Sequence, residues 1–244
     1  MSQAPDRSAS RISAMFDAIA PRYDFLNHLL SAGIDRLWRT RAIRSLALTG
    51  RETVLDLCTG TGDLAIEARQ STPGAARVIG VDFSGVMLRL GLDKVRRRQL
   101  DRHIALVRGD ASTIPAGDCS VDAVTIGFGI RNVDDRGAAC REMLRVLKPG
   151  GRLAILEFAM PTSPVFRQLY LSYFRHILPR LGRWISGHGS AYAYLPASVD
   201  AFEPAEFMDL LRKSGFVDVA AVPMTFASVF LYTARRANQH AIIV

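Results

Sequence analysis

The spacing of apolar residues changes near residue 50. From residue 12 to 48 apolar residues recur every three or four positions, which predicts helices that are interrupted near Pro21 and Gly33. After residue 50, short apolar runs typical of strands alternate with longer segments of helical periodicity. We predict strands at 53–58, 77–81, 104–107, 121–126 and 152–157, helices at 63–70, 87–100 and 136–147, and a turn at 148–151.

Strands and helices that alternate at this spacing predict a parallel sheet with helices on both faces. The alternation ends after residue 157. Residues 204–214 have helical periodicity, and residues 215–219 and 224–234 predict two last strands in an antiparallel hairpin. The expected fold is therefore α/β, with a doubly wound, mostly parallel sheet of seven strands, a helical N-terminal cap and an inserted helical lid.

We expect a single domain at residues 12–236, between a flexible tail at 1–11 and a second tail at 237–244. Its parts are the cap at 12–48, a core of strands and helices at 50–157, the lid at 158–199, and a closing helix and hairpin at 200–236. The apolar content of 49% and the length of 244 residues are those of a globular protein, which excludes a disordered or fibrous chain.

Half of the excess positive charge lies in the lid. The chain has 31 Lys and Arg against 23 Asp and Glu, a net charge of +8. The lid has no acidic residue and contains eight aromatic residues with four arginines, Arg167, Arg175, Arg180 and Arg183. This composition suits contact with an anionic membrane surface, and equally a lid with a packed interior and solvated arginines. Both interpretations stay open.

Other sequence features indicate the cellular compartment of the protein. The cysteines Cys58, Cys119 and Cys140 lack the paired spacing of a metal site or a disulfide framework, so we expect no metal and a reducing compartment. The N-terminus has no apolar run of the signal-peptide type, and no apolar stretch is long enough to span a bilayer. We expect a cytoplasmic protein, with peripheral contact at the inner face of the cell membrane as a further hypothesis.

A glycine loop joins the first strand of the core to its first helix. Gly60 and Gly62, with Asp82 twenty residues later, fit the dinucleotide fingerprint tolerably, so an NAD or FAD enzyme has to be considered. Asp56 and Asp63, however, would both face the negative charge of a pyrophosphate. S-adenosylmethionine removes this conflict, because its sulfonium and ammonium groups are cationic and its ribose hydroxyls need an acceptor such as Asp82.

The loop is one of several motifs in a fixed order. VLDLCTGTG (54–62), GVD (80–82), RGDA (108–111), DAV (122–124) and LKPGG (147–151) together resemble the motifs of class I S-adenosylmethionine-dependent methyltransferases, whose fold is Rossmann-like. The resemblance implies that Asp110 and the backbone of Ala111 contact the adenine. It implies a cofactor site made of Asp56, Gly60, Thr61, Gly62, Asp82, Asp110, Ala111 and Gly127.

Further motifs are more specific. MFDAIAPRYDFLNH (15–28), FGIRN (128–132), LEF (156–158) and YLPASV (194–199) resemble those of the ubiquinone/menaquinone biosynthesis C-methyltransferases, and the resemblance extends from residue 12 to 236. It implies methylation of a ring carbon of a polyprenylated quinol, with demethylmenaquinol as the first expectation and a methoxy-benzoquinol as the alternative. The chain departs from the family in having Gly127 where serine is frequent and Ala227 where glycine is frequent.

Carbon methylation requires an electron-rich ring, so the substrate should be the reduced quinol, whose phenolic pKa is about 10. Loss of that proton raises the electron density of the adjacent carbon, which attacks the methyl group in line with the departing sulfur. We predict that Arg131 stabilises the phenolate or orients a water molecule, and that Tyr23 or His28 relays the proton. Each has a structural alternative: a salt bridge, a packed aromatic ring and an ordinary helix residue.

Two other function classes compete with a quinol methyltransferase. A nucleic-acid methyltransferase would suit the basic charge, but the motifs that bind base amines or attack pyrimidine carbons are missing from the sequence, so we expect no nucleic-acid partner. A catalytically inactive, cofactor-binding subunit is the second rival. The expected partner is the prenylated quinol, with a homo-oligomer and membrane contact through residues 158–199 left open.

Overall fold

The computed structural model describes residues 17, 20, 31, 33–71, 77–161, 163–172, 199 and 202–238. Among these residues, seven strands form one sheet in the order β3-β2-β1-β4-β5-β7-β6. The strands are β1 (Thr53–Leu57), β2 (Arg77–Asp82), β3 (Ile104–Arg108), β4 (Val121–Gly127), β5 (Leu147–Phe158), β6 (Phe216–Met224) and β7 (Val229–Arg236). The helices are α1 (Asp35–Ser45), α2 (Asp63–Ser71), α3 (Gly85–Arg97), α4 (Arg136–Val146), α5 (Pro164–Ser172) and α6 (Pro204–Lys213).

The first five strands are parallel, and β7 pairs antiparallel with both β5 and β6. Helices cover both faces of the sheet, which explains why the central strands are continuous apolar runs rather than alternating ones. One core contains side chains of α1, α2 and α3, and the other contains side chains of α4 and α6. The predicted doubly wound, mostly parallel sheet of seven strands is confirmed.

Three predicted strand boundaries are wrong. The residues of the expected turn at 148–151 lie within β5, because Leu147 already pairs with Val121 and the register shifts between Val121 and Ala123. The strand before the hairpin turn was expected to end at residue 219, but β6 extends to Met224. The last strand was expected from residue 224, but β7 begins at Val229. Residues 225–228 form the hairpin turn, in which Thr225, Phe226 and Ala227 adopt positive φ angles that β-strands do not have.

The described parts of the predicted cap and lid each contain a helix. Helix α1 lies in the cap and packs against α2, β5 and β7, while α5 lies in the lid. Tyr23 and His28 lie outside the described residues, as do Arg175, Arg180 and Arg183 of the lid. Among the described helices, none has the length and apolar character needed to cross a membrane.

Candidate active site

A pocket opens at the carboxyl ends of the parallel strands, where the strand order reverses between β1 and β4. Ligands bind at such switch points in doubly wound sheets. The pocket encloses about 800 Å³ of space, part of which is open to solvent. Its lining comprises Cys58, Gly60, Asp82, Phe83, Ser84, Met87, Asp110, Ala111, Ser112, Gly127, Phe128, Gly129, Asn132, Val133 and Asp134.

The glycine loop after β1 turns sharply to reach α2. Gly60 and Gly62 have φ angles of 56° and 83°, which glycine adopts without a steric penalty. The Gly62 N–H donates to the Thr59 carbonyl at 2.8 Å and closes the turn. On the opposite wall, a Cβ atom at Gly129 would lie 2.4 Å from the Cβ of Cys58, so the two walls approach closely only because residue 129 is glycine.

Asp82 lies at the end of β2, as predicted, and its carboxylate lines the pocket. One oxygen accepts the Ser84 N–H at 2.9 Å and the other accepts the Gly60 N–H at 2.8 Å. Burial raises the pKa of Asp82, and these backbone hydrogen bonds oppose that effect. Because a carboxylate has about four acceptor positions, these bonds leave capacity to accept a hydroxyl group from a ligand.

Asp110 and Ala111 follow β3 and border the same pocket, also as predicted. An Asp110 carboxylate oxygen accepts the Ser112 N–H and the Ser112 hydroxyl, both at 2.7 Å. These bonds fix the side chain in a short turn beyond the strand. Gly127, at the end of β4, completes the predicted residues that line the pocket.

Asp56 and Thr61 lie behind the glycine loop rather than in the pocket lining. Asp56 is fully buried and accepts hydrogen bonds from the hydroxyls of Thr59, at 2.5 Å, and Thr125, at 2.7 Å. Burial raises the pKa of Asp56 to about 6. The Thr61 hydroxyl accepts a hydrogen bond from the Lys94 ammonium at 2.9 Å. Both side chains therefore hold the loop in place from behind.

Arg131 lies in the short helical turn after β4, next to the pocket wall formed by Phe128, Gly129 and Asn132. Its guanidinium donates to a Glu157 carboxylate oxygen at 2.7 Å and to the Phe128 carbonyl at 2.5 Å. The Arg131 backbone N–H also donates to Glu157, at 3.1 Å. Since Arg131 is 4% exposed and Glu157 is fully buried, this is a buried ion pair that fixes the wall to β5.

The sequence prediction named eight cofactor-site residues and missed several that line the pocket. Cys58 and Phe128 have positive φ angles of 52° and 59° at the ends of β1 and β4. Burial and the nearby carboxylates raise the pKa of the Cys58 thiol, so it is a neutral side chain. Met87 belongs to the first turn of α3, and Asn132 to the FGIRN motif. The sequence offered one signal for these four residues, which is that each of them lies at or after the carboxyl end of a predicted strand.

The charges in the pocket favour a cationic ligand. Three carboxylates line it, those of Asp82, Asp110 and Asp134, and the described lining includes no Lys or Arg side chain. A sulfonium or ammonium group is attracted by this arrangement, whereas a pyrophosphate is repelled. The acceptors at the ends of β2 and β3 also match the ribose hydroxyls and the adenine amine. The residues of the pocket therefore fit S-adenosylmethionine better than a dinucleotide.

Comparison with known sequences gives matches along nearly the whole chain. A model of the ubiE/COQ5 methyltransferase family matches residues 5–236. A ubiquinone/menaquinone biosynthesis C-methyltransferase UbiE from Geobacter sulfurreducens is 47% identical over 93% of this chain and 88% of its own length. A demethylmenaquinone methyltransferase from Deinococcus radiodurans is 46% identical over 84% of each chain.

Solved structures resemble the fold at low sequence identity. A SAM-dependent methyltransferase from Aquifex aeolicus superposes with a TM-score of 0.61 at 19% identity, over 81% of this chain and 88% of that one. The [4+2]-cyclase SpnF superposes with a TM-score of 0.67 at 18% identity, over 93% of this chain and 95% of that one. Because one of these neighbours is a cyclase, the fold alone does not identify the reaction.

Proposed function

Because the chain belongs to the ubiE/COQ5 methyltransferase family, we propose that it methylates a ring carbon of demethylmenaquinol to give menaquinol, a polyprenylated quinol. The enzyme is an S-adenosylmethionine-dependent C-methyltransferase. One observation carries the proposal: the sequence match covers the glycine loop and every strand that borders the acidic pocket. The analogous methylation of a methoxy-benzoquinol is the second candidate, since the Geobacter relative's name includes ubiquinone.

The proposed roles in cofactor binding follow from the pocket lining. Asp82 accepts hydrogen bonds from the ribose hydroxyls, and Asp110 accepts one from the adenine amine beside the Ala111 backbone. The cofactor supplies an electrophilic methyl group on a sulfonium sulfur. Gly60 and Gly127 let it approach the backbone closely, while Asp56, Thr61 and Gly62 keep the loop in the required shape. The negative charge of the pocket favours binding of the sulfonium.

The chemistry on the quinol requires removal of a phenolic proton as the new carbon–carbon bond forms. The ring carbon donates an electron pair to the methyl group, and the carbon–sulfur bond breaks with its electron pair left on sulfur. The methylated carbon then loses its hydrogen as a proton and the phenolic oxygen regains one, so that one proton is released in total. We propose that Arg131 stabilises the phenolate or orients a water molecule, with its guanidinium fixed by Glu157. We propose that either Tyr23 or His28 relays the proton. The partly buried ring of Phe128 offers an apolar surface to the quinol.

A panel of substrates tests the function against its rivals. The purified chain is incubated with S-adenosylmethionine and, separately, with a short-tailed demethylmenaquinol, a short-tailed methoxy-benzoquinol and tRNA. We expect methylation of the naphthoquinol. Faster methylation of the benzoquinol would favour the second candidate, and methylation of tRNA would favour a nucleic-acid enzyme. If no substrate is methylated under reducing conditions, the chain is a binding subunit.

Binding of the methyl donor is tested separately from catalysis. Asp82→Asn removes a charged acceptor, so the dissociation constant of S-adenosylmethionine should rise about 10- to 100-fold in calorimetry. Asp118→Asn is the matched control, because the Asp118 side chain is 76% exposed and pairs with Arg145 outside the pocket lining. Equal affinity of the Asp82 variant and the wild type would contradict this assignment.

We further propose that the protein works at the inner face of the cell membrane. A polyprenyl tail gains about 0.8 kcal/mol for each methylene group held in an apolar environment, so the substrate does not leave the bilayer readily. The lid (158–199) is the predicted contact, and its described part contains the exposed Arg167 on α5. No nucleic acid is needed for this function, and a homo-oligomer is compatible with it.

A further inference from the structure

Three segments that are far apart in the sequence place exposed apolar side chains at the carboxyl end of the sheet. Leu37 on α1 is 65% exposed, Val165 on α5 is 68% exposed, and Phe226 in the turn between β6 and β7 is 64% exposed. We call these three residues the apolar rim. Such highly exposed side chains protrude from the surface, whereas residues that line a groove are largely covered.

Direct contacts hold the rim segments together. The rings of Phe166 on α5 and Phe226 in the turn are stacked, with centroids 3.8 Å apart. The indole N–H of Trp38, which follows Leu37 on α1, donates to the Thr225 hydroxyl at 2.9 Å. Because α1 and α5 both contact the same turn, the three segments that carry these side chains lie together at this end of the sheet, and we infer that the side chains share one surface.

The rim adjoins the pocket through an aromatic cluster. Trp38 makes edge contacts with the rings of Phe128 and Phe158, at centroid distances of 5.9 and 6.2 Å. Phe128 and Phe158 are stacked on each other at 4.4 Å, and Phe128 also lines the pocket. A membrane in contact with the rim would therefore lie beside the opening from which the proposed quinol enters.

The turn that carries Phe226 has a fixed and strained backbone. Thr225, Phe226 and Ala227 have φ angles of 45°, 56° and 62°, although none of them is glycine. Hydrogen bonds on both sides hold this conformation, from the Ser228 N–H to the Thr225 carbonyl and from the Ala159 N–H to the Ser228 carbonyl. Strain of this kind persists where the surrounding structure imposes it, and it is concentrated at functional surfaces.

The exposed charge around the rim is positive. In the described residues 33–38, 163–168 and 225–228, the exposed charged side chains are Arg36 and Arg167. The one carboxylate in these segments, Asp35, is buried and forms an ion pair with Arg39. Protruding apolar side chains flanked by arginines match the interface of an anionic bilayer, where the apolar groups enter the acyl region and the cations contact headgroups.

We propose that the apolar rim is a membrane-docking surface whose partner is an anionic lipid bilayer. Leu37, Val165 and Phe226 enter the interface, and Arg36 and Arg167 contact the lipid headgroups. This inference rests on the proposed function, because a membrane-docking surface is useful to an enzyme whose prenylated quinol substrate resides in the bilayer. It extends the membrane contact beyond the lid, to the first turn of α1 and to the hairpin turn at the other end of the chain.

Vesicle co-sedimentation of the full chain tests the surface. The double variant Leu37→Ser/Phe226→Ser is compared with Val217→Ser, in which the altered residue is 41% exposed on the same hairpin but lies at the opposite end of the sheet. On vesicles of phosphatidylcholine with phosphatidylglycerol, the partition coefficient should fall at least tenfold for the double variant and stay unchanged for the control. Equal binding of all three proteins, or no binding by the wild type, would overturn the proposal.

The arginines have a test of their own. Arg36→Gln/Arg167→Gln should remove most of the preference for anionic vesicles over pure phosphatidylcholine vesicles, and high salt should have the same effect on the wild type. An unchanged preference would overturn the assignment of these two arginines. The melting temperature of every variant should lie within about 2 °C of the wild-type value. This control shows that a loss of vesicle binding does not result from unfolding.

Activity measurements separate this inference from the proposed function. Without vesicles, methylation of a short-tailed quinol by the Leu37→Ser/Phe226→Ser variant should stay within twofold of the wild type. If the wild type has no such activity, the proposed function fails, while the vesicle result stands independently. If vesicle binding is kept but KM for a long-tailed quinol in detergent rises, the rim binds the tail and the membrane proposal is overturned.

Discussion

Asp56 is a buried carboxyl group whose pKa of about 6 lies well above the value of about 3.9 expected in the unfolded chain. The folded protein therefore binds this proton more tightly than the unfolded chain does. The resulting stabilisation is fully present below pH 4 and is lost as the pH rises through about 6. A residue that supports the glycine loop thus makes the free energy of unfolding depend on pH.

The isosteric variant Asp56→Asn lacks this titration. We expect its free energy of unfolding, relative to that of the wild type, to increase by up to about 3 kcal/mol between pH 4 and 7. Urea unfolding at a series of pH values measures the difference, with the surface variant Asp118→Asn as the control. If the curves of wild type and Asp56→Asn run parallel across this range, the Asp56 carboxyl group is not the titrating group.

The sequence predicted some site residues well and others only in part. Asp82 and Asp110 were identified because parallel strands bring their carboxyl ends to one edge, and both line the pocket. Asp56 was assigned to the same site, but its side chain lies against Thr125 of β4, behind the loop. Local sequence does not specify which tertiary neighbour a strand-end side chain meets. For the same reason the sequence allowed a salt bridge for Arg131 but did not identify Glu157 as its partner.

At the scale of elements, this ion pair joins β5 to the segment that follows β4. Removing one partner leaves a buried charge without compensation, so Glu157→Gln should lower the free energy of unfolding by about 3 kcal/mol. The double variant Glu157→Gln/Arg131→Gln should be less destabilised than the sum of the single variants, by about 1–3 kcal/mol. Urea unfolding of the wild type, the two single variants and the double variant gives the four free energies of this double-mutant cycle. Strict additivity would show that the two side chains are energetically independent.

The turn between β6 and β7 offers a second element-scale test. Ala227 has a φ angle of 62°, which is unfavourable for a residue with a Cβ atom. Ala227→Gly should raise the free energy of unfolding by about 1 kcal/mol and the melting temperature by about 2–4 °C. Ala220→Gly, within β6, is the matched control and should be destabilising. A lower melting temperature for Ala227→Gly would contradict the strained conformation.

Boundaries of elements were the weaker part of the sequence prediction. The strands of the core were placed within two residues, apart from the start of β5. There the Lys-Pro-Gly-Gly residues form an irregularity between two paired positions, Leu147 with Val121 and Arg152 with Ala123, so the strand begins before the turn signal. The hairpin turn was misplaced because its residues, Thr225 and Phe226 among them, carry no glycine or asparagine to indicate a left-handed backbone. Tertiary contacts with Trp38 and Ala159 fix it instead.

At the scale of the whole molecule, the order of motifs predicted the seven-stranded sheet and the position of the pocket. The net charge of +8 had suggested nucleic acid or an anionic membrane, and the resemblance to quinol methyltransferases favoured the membrane. The sequence did not indicate that α1, α5 and the hairpin turn meet beside the pocket. Such a surface arises from contacts between distant segments, which no local pattern encodes.

The central claim is that this chain transfers a methyl group to a ring carbon of demethylmenaquinol. The most direct measurement uses S-adenosylmethionine with a trideuterated methyl group and a short-tailed demethylmenaquinol under reducing conditions. NMR and mass spectrometry of the product should find an intact trideuteromethyl group on the ring carbon that carried hydrogen in the substrate. A trideuteromethyl group on a quinol oxygen, or unlabelled quinol after complete incubation, would contradict the claim.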